Sequence, residues 1–206
     1  MAMKSTNVTR VPHLVGEAER WRRQGHRGGV IWFTGLPASG KKTIAFGLEQ
    51  RLFERGYEVF AFDSASVRAG LCSDLGFSRD DRKENIRRAG ELAAVMARSG
   101  VVVIAAFISP FEIDRAAARG AAVNFHEVFL DVPAEICEAR DDQGRYARAR
   151  AGELADFTGV SAPYEAPAAP EVLLDAVGLN AEQCIDRLAA YVEEHFRAPT
   201  PADVVG

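Results

Sequence analysis

The chain has 206 residues, 48% of them apolar and 26% charged, with a formal net charge of −4. That length suits one domain with a buried core, and the composition is neither disordered nor fibrous. The acidic balance argues against nonspecific nucleic-acid binding, no apolar run approaches the ~20 residues of a membrane span, and no signal core is visible, so a cytoplasmic protein without nucleic-acid or membrane partners is expected.

Residues 1–24 read as an N-terminal segment, loosely ordered to about residue 15. A single domain is expected over 25–197, followed by a flexible tail at 198–206. Within the domain, Val30–Thr34 reads as a buried strand and Lys41–Arg55 as a helix with Ile44, Leu48 and Leu52 on one face, stopped by Gly56. Glu58–Phe62 is a second strand. Asp80–Ser99 is a long helix stopped by Gly100, and Val101–Ala106 is the most strand-like segment. Pro110–Arg119 and Pro133–Ala139 are short helices, separated by a strand at Glu127–Asp131. Glu171–Leu174 is the last strand and Ala181–Phe196 the last helix. Strands alternating with helices imply an α/β fold, with a mostly parallel sheet flanked by helices and ligands at the carboxyl ends of the strands. Cys72, Cys137 and Cys184 are odd in number and lack metal-ligand spacing, so they read as reduced thiols.

The strongest motif follows the first strand. Residues 35–43 read GLPASGKKT, against a phosphate-loop pattern of G-x-x-x-x-G-K-[ST]. Gly35 and Gly40 let the backbone curl so that successive N–H groups face an anion. Lys41 supplies charge for the outer phosphates. The next position ordinarily carries a hydroxyl that ligates Mg²⁺, and here it is Lys42.

Four further stations follow strand ends. Asp63 could accept a substrate proton or simply cap a short helix. Arg68, Arg82 and Asn85 suit an anionic nucleotide, although the run from Ser78 through Asp81 also resembles a helix start, and its charges could be a solvated face. Phe107-Ile108-Ser109-Pro110-Phe111 could stack on a base or pack in the core. Arg140, Arg145, Arg148 and Arg150 would make a cationic, mobile lid whose charges wait for phosphates, or a plain solvated loop.

Several segments together resemble the adenylylsulfate kinase (APS kinase) family. They are GHRGGVIWFTGL, SDLGFS, DRKENIRRAGE, AAFISPF, EVFLDVP, CEARD and FTGVSAPYEAP, in that order from about Gly25 to about Asp175. The resemblance implies a P-loop kinase fold, frequently dimeric, that makes 3′-phosphoadenylyl sulfate from ATP and adenylyl sulfate in sulfate assimilation. It implies that Gly35, Gly40, Lys41, Lys42 and Thr43 hold the ATP phosphates, with Arg140 opening the lid. It places Arg68, Phe77, Arg82, Asn85 and Phe157 around adenylyl sulfate, Phe77 and Phe157 beside the adenine. Ser109 matches a serine that family members can phosphorylate, and Asp63 is the remaining candidate to orient the acceptor hydroxyl.

The departures cluster around the chemistry. The family usually reads GKST where this chain has Gly40-Lys41-Lys42-Thr43, and DGDNVR where it has Asp63-Ser64-Ala65-Ser66-Val67-Arg68. A hydroxyl has become Lys42 and a carboxylate Ala65, making the metal position more positive by about two unit charges. Two like charges ~4 Å apart repel by about 4 kcal/mol at an effective dielectric of 20. No metal-ligating residue is therefore expected, and Lys42 is expected to take the place of Mg²⁺ beside Asp63. Two rival readings stand next to the kinase: a sulfonucleotide-binding pseudokinase or regulator, and a kinase retargeted to another acceptor.

Overall fold

The computed structural model describes residues 9 and 11–198. Most of the expected loose start and the whole of the tail after Ala198 fall on residues 1–8, 10 and 199–206, outside the described residues. In chain order the elements are α1 (Glu17–Gln24), β1 (Gly29–Thr34), α2 (Lys41–Glu54), β2 (Val59–Asp63), α3 (Ser64–Arg68), α4 (Arg79–Arg98) and β3 (Val102–Ala106). They continue with α5 (Glu112–Ala121), β4 (Phe125–Leu130), α6 (Ala134–Ala139), α7 (Arg145–Arg150), β5 (Val172–Leu174) and α8 (Ala181–His195).

All five strands are parallel, in the order β2-β3-β1-β4-β5. β1 is central because every one of its residues is buried, which only a strand covered on both faces tolerates. Its side chains alternate. Ile31 and Phe33 join the core formed with Ile44, Leu48 and Leu52 of α2 and Leu188 and Val192 of α8. Val30 and Trp32 join the opposite core, with Ile86, Ala89 and Ala93 of α4 and Phe107. Leu48 and Leu52 are 0% exposed, and burying each such side chain contributes roughly 1.5–3 kcal/mol.

The helix stops are local. Gly56 and Gly100 adopt φ of 83° and 100° just past α2 and α4, a region a side chain rarely enters. Ser78 caps α4 by accepting the Asp81 N–H. The helix expected from Pro110 starts at Glu112, because Phe111 is extended and serves as its N-cap. Two helices, α1 and α7, were not expected as such, and α3 is the short helix weighed for Asp63 to cap. α1 has no buried residue and so no apolar stripe to announce it. α3 and α7 are each about one turn long, too short to show a period.

Connections from β1 and β3 cross to opposite sides of the sheet, so their carboxyl ends open a crevice. The loop 35–40, the β2–α3 junction and residues 107–110 all lie at those ends.

Candidate functional site

The crevice holds two cavities. The first, about 710 Å³, is lined by the 37–43 loop, Asp63, Ser64, Ala65, Ile108 and the start of the 140–145 segment. The loop is built for an anion. Ala38 and Gly40 have φ of 59° and 96°, turning successive amides the same way. Gly40 is the N-cap of α2 and brings no side-chain bond, so the first amides of that helix stay available. Gly35, at φ 148°, leaves no room for a Cβ, which would meet the Leu130 carbonyl at 2.9 Å.

Charge converges here. Lys41, Lys42, Arg140 and Arg145 line this cavity, against the carboxylates Asp63 and Asp142. Lys41 is buried and folds back on its own loop, donating to the carbonyls of Gly35 (2.8 Å) and Leu36 (2.6 Å) and to Ser39 Oγ (3.1 Å). Burial pulls its pKa down to about 7. Those three acceptors are the kind of partner that phosphate oxygens would replace. Thr43 lines the cavity and is exposed.

Lys42 Nζ lies 2.9 Å from Asp63 Oδ2. Asp63 also caps α3, its Oδ1 accepting from the backbone N–H of Ser66 (2.8 Å) and from the Ser66 hydroxyl. The cap of a short helix is thus present, and the second carboxylate oxygen meets an ammonium. Burial raises its pKa, but the Ser66 hydrogen bonds and the Lys42 ammonium outweigh that and hold the carboxyl below its usual range.

The second cavity, about 200 Å³, is lined by Arg68, Phe77, Arg82, Asn85, Phe157 and Ser109, among others. All five residues expected around adenylyl sulfate thus meet in one place. Arg68 donates to the carbonyls of Leu75 (3.0 Å) and Gly76 (2.8 Å) and stacks 4.4 Å from the Phe77 ring. Arg82 Nε donates to the Phe77 carbonyl at 2.8 Å. Two arginines thereby shape the 75–77 turn while keeping other N–H groups free. Arg68 Nε, Asn85 Oδ1 and Thr158 Oγ1 are buried without a hydrogen-bond partner. Such orphans are rare, and three beside one cavity mark it as a place for a polar ligand. Thr158 was missed by sequence reasoning, although it follows Phe157 directly.

Ser109 is 2% exposed, at φ 40°. Its hydroxyl accepts from Trp32 Nε1 (3.1 Å) and its carbonyl from Arg115 Nη1 (2.8 Å). Arg115 is itself buried against Glu127, at 2.7 Å. Phe107 stacks on Trp32 at 5.1 Å, so core packing claims that aromatic while its edge still lines the second cavity.

The expectation of unpartnered lid arginines is corrected. Arg145 pairs with Asp141, Arg148 with Glu153 and Arg150 with Glu138, while Arg140 donates to the Ala176 carbonyl. Only Arg140 and Arg145 line the phosphate cavity. The reason is that α7 turns Arg148 and Arg150 toward nearby carboxylates. Tyr146 anchors this helix by donating to the Pro37 carbonyl at 3.0 Å. The three cysteines are free and buried, and no described helix is long and apolar enough to cross a membrane.

Among the described residues no group of three or more His, Cys, Asp or Glu could hold a metal ion. More tellingly, the helix position that would bring a hydroxyl brings an ammonium, already seated on the strand-end carboxylate. The loop position that ordinarily ligates Mg²⁺ therefore does not fit it.

The family model for adenylylsulphate kinase matches residues 27–175. An adenylyl-sulfate kinase of Marinobacter nauticus is 49% identical over 92% of this chain and 96% of its own length. One from Escherichia coli is 50% identical over 96% of both chains. Among solved structures, the Mycobacterium tuberculosis APS kinase CysC in complex with AMPPNP and APS superposes with a TM-score of 0.74 at 42% identity, covering 79% of this chain and 96% of that one. The chain belongs to the adenylylsulphate kinase family.

Proposed function

We propose that this protein transfers the γ-phosphoryl group of ATP to the 3′-hydroxyl of adenylyl sulfate. The observation that carries the reading is the junction of the two cavities, which share Pro37, Ser64 and Ile108 as their common wall. ATP phosphates belong on the loop side and the sulfonucleotide on the arginine side. The P–O bond to the ADP leaving group breaks, a P–O bond to the 3′-oxygen forms, and the hydroxyl proton leaves to Asp63 or water.

Phosphoryl transfer needs positioning and charge more than covalent chemistry. Lys41, the amides of Ala38 and Gly40 and of the first turn of α2, Arg140 and the flank of Lys42 and Thr43 would hold the triphosphate. Arg68, Arg82 and Asn85 would hold the acceptor's anionic and polar groups, with Phe77 and Phe157 against the base. Asp63 would orient the hydroxyl once Lys42 leaves it. Ser109, buried and engaged by Trp32, suits anchoring of the 107–110 turn better than accepting phosphate.

The Lys42–Asp63 pair favours a second reading, a sulfonucleotide-binding protein with little turnover, because it engages the carboxylate that would orient the hydroxyl. One experiment separates them: a coupled ADP-release assay with ATP and adenylyl sulfate, run beside calorimetry with each nucleotide. Turnover that vanishes in Arg82→Ala carries the kinase reading. Tight sulfonucleotide binding without turnover carries the second. A homodimer in the cytoplasm is part of the proposal. The three free thiols suit a reducing compartment, and sedimentation analysis tests the dimer.

A further inference from the structure

We infer that Lys42 is a built-in counter-cation, and that the phosphate cavity takes a nucleoside triphosphate in its metal-free form. The inference rests on the reading above that this cavity holds a nucleotide.

Three observations converge. The ammonium stands one position after Lys41 on α2, where the loop pattern places a metal-ligating hydroxyl. It is seated 2.9 Å from Asp63 Oδ2, the oxygen not committed to the cap of α3, so the chain's own cation already holds that position. Ala65, exposed in the first turn of α3, offers no replacement ligand.

The Lys42 side chain is 63% exposed and its Nζ passes 5.4 Å from the Phe46 ring, so the stem has room to swing. Moving from one carboxylate to phosphate oxygens exchanges one charge-assisted contact for another. The triphosphate thereby receives its neutralising charge from the chain, and Asp63 Oδ2 is released at the junction of the two cavities. A divalent ion in the same space would face the ammonium at close range.

The test is calorimetry of the full chain with ATP, once in EDTA and once in excess Mg²⁺. The unsubstituted protein should bind with dissociation constants within tenfold of each other. Lys42→Ala, a change at a mostly exposed side chain, should weaken binding in EDTA roughly tenfold or more. The pair Lys42→Ser with Ala65→Asp should bind ATP more tightly in Mg²⁺ than in EDTA by more than tenfold. The inference is overturned if Mg²⁺ tightens binding to the unsubstituted protein more than tenfold, or if Lys42→Ala binds as well as the unsubstituted protein in EDTA. Absence of ATP binding in both media overturns the nucleotide reading of the cavity itself, a different result from binding seen only with Mg²⁺.

Discussion

Glu127→Gln is the most informative single change outside the cavities. Glu127 of β4 faces Arg115 of α5, whose side chain is 3% exposed. The Nε–Oε1 distance is 2.7 Å, yet the N–H does not point along it, so the contact is one of charge more than an aligned hydrogen bond. Arg119 approaches the other carboxylate oxygen at 3.6 Å. Glutamine keeps the shape and removes the charge, leaving a buried guanidinium with only the Ser109 carbonyl as an aligned acceptor. Breaking a buried pair from one side costs about 3–5 kcal/mol, and the poor alignment places this one near about 3. At about 2–4 °C per kcal/mol for a chain of this size, the melting temperature should fall by about 6–12 °C. Because Arg115 also holds the Ser109 carbonyl, KM for adenylyl sulfate should rise more than KM for ATP. Thermal melts by circular dichroism and initial-rate kinetics read both effects. The double change with Arg115→Met, which removes both charges, should recover much of the stability. A melting shift under about 2 °C for Glu127→Gln would refute the reasoning, since the buried charge would then have found another partner.

Arg82→Ala should weaken adenylyl sulfate binding by on the order of 1.5–3 kcal/mol, the worth of a hydrogen bond to a charged group; unchanged affinity by calorimetry would remove Arg82 from the acceptor site. Lys41 begins with its pKa pulled down to about 7 by burial, and triphosphate oxygens should raise it. A raised pKa means that binding takes up a proton above pH ~7, so ATP affinity should fall as pH climbs from there, by at most about tenfold per unit. Calorimetry at pH 8 in buffers of different ionisation enthalpy measures that uptake, and a net uptake of zero would count against it. Residues 140–156 should gain hydrogen-exchange protection when ATP is added, because beyond the Tyr146 anchor the Arg148–Glu153 and Arg150–Glu138 pairs are exposed and hold the segment only weakly; equal protection with and without ATP would show a lid already closed.

Much of this protein was legible in the chain itself because it rests on short-range physics. The unbroken apolar run of β1 requires burial on both faces, and glycines at 35 and 40 permit backbone angles that other residues resist. The ammonium at position 42 is likewise a plain letter, standing where the loop pattern has a hydroxyl. The family's spaced segments located the acceptor residues, but only the packed sheet brought Arg68, Arg82, Asn85 and Phe157 around one cavity and left Thr158 and Asn85 with orphaned oxygens there. Charge pairing was illegible for a related reason. Arg148 and Arg150 look in sequence like Arg140 and Arg145, and which of them meets a phosphate cavity or a neighbouring carboxylate depends on how a single turn of helix is set against the core. α1 buries nothing, so no period announced it. Backbone conformation and hydrophobic burial are encoded over a few residues, whereas the partner of a long charged side chain is selected by whatever the strand order places within its reach.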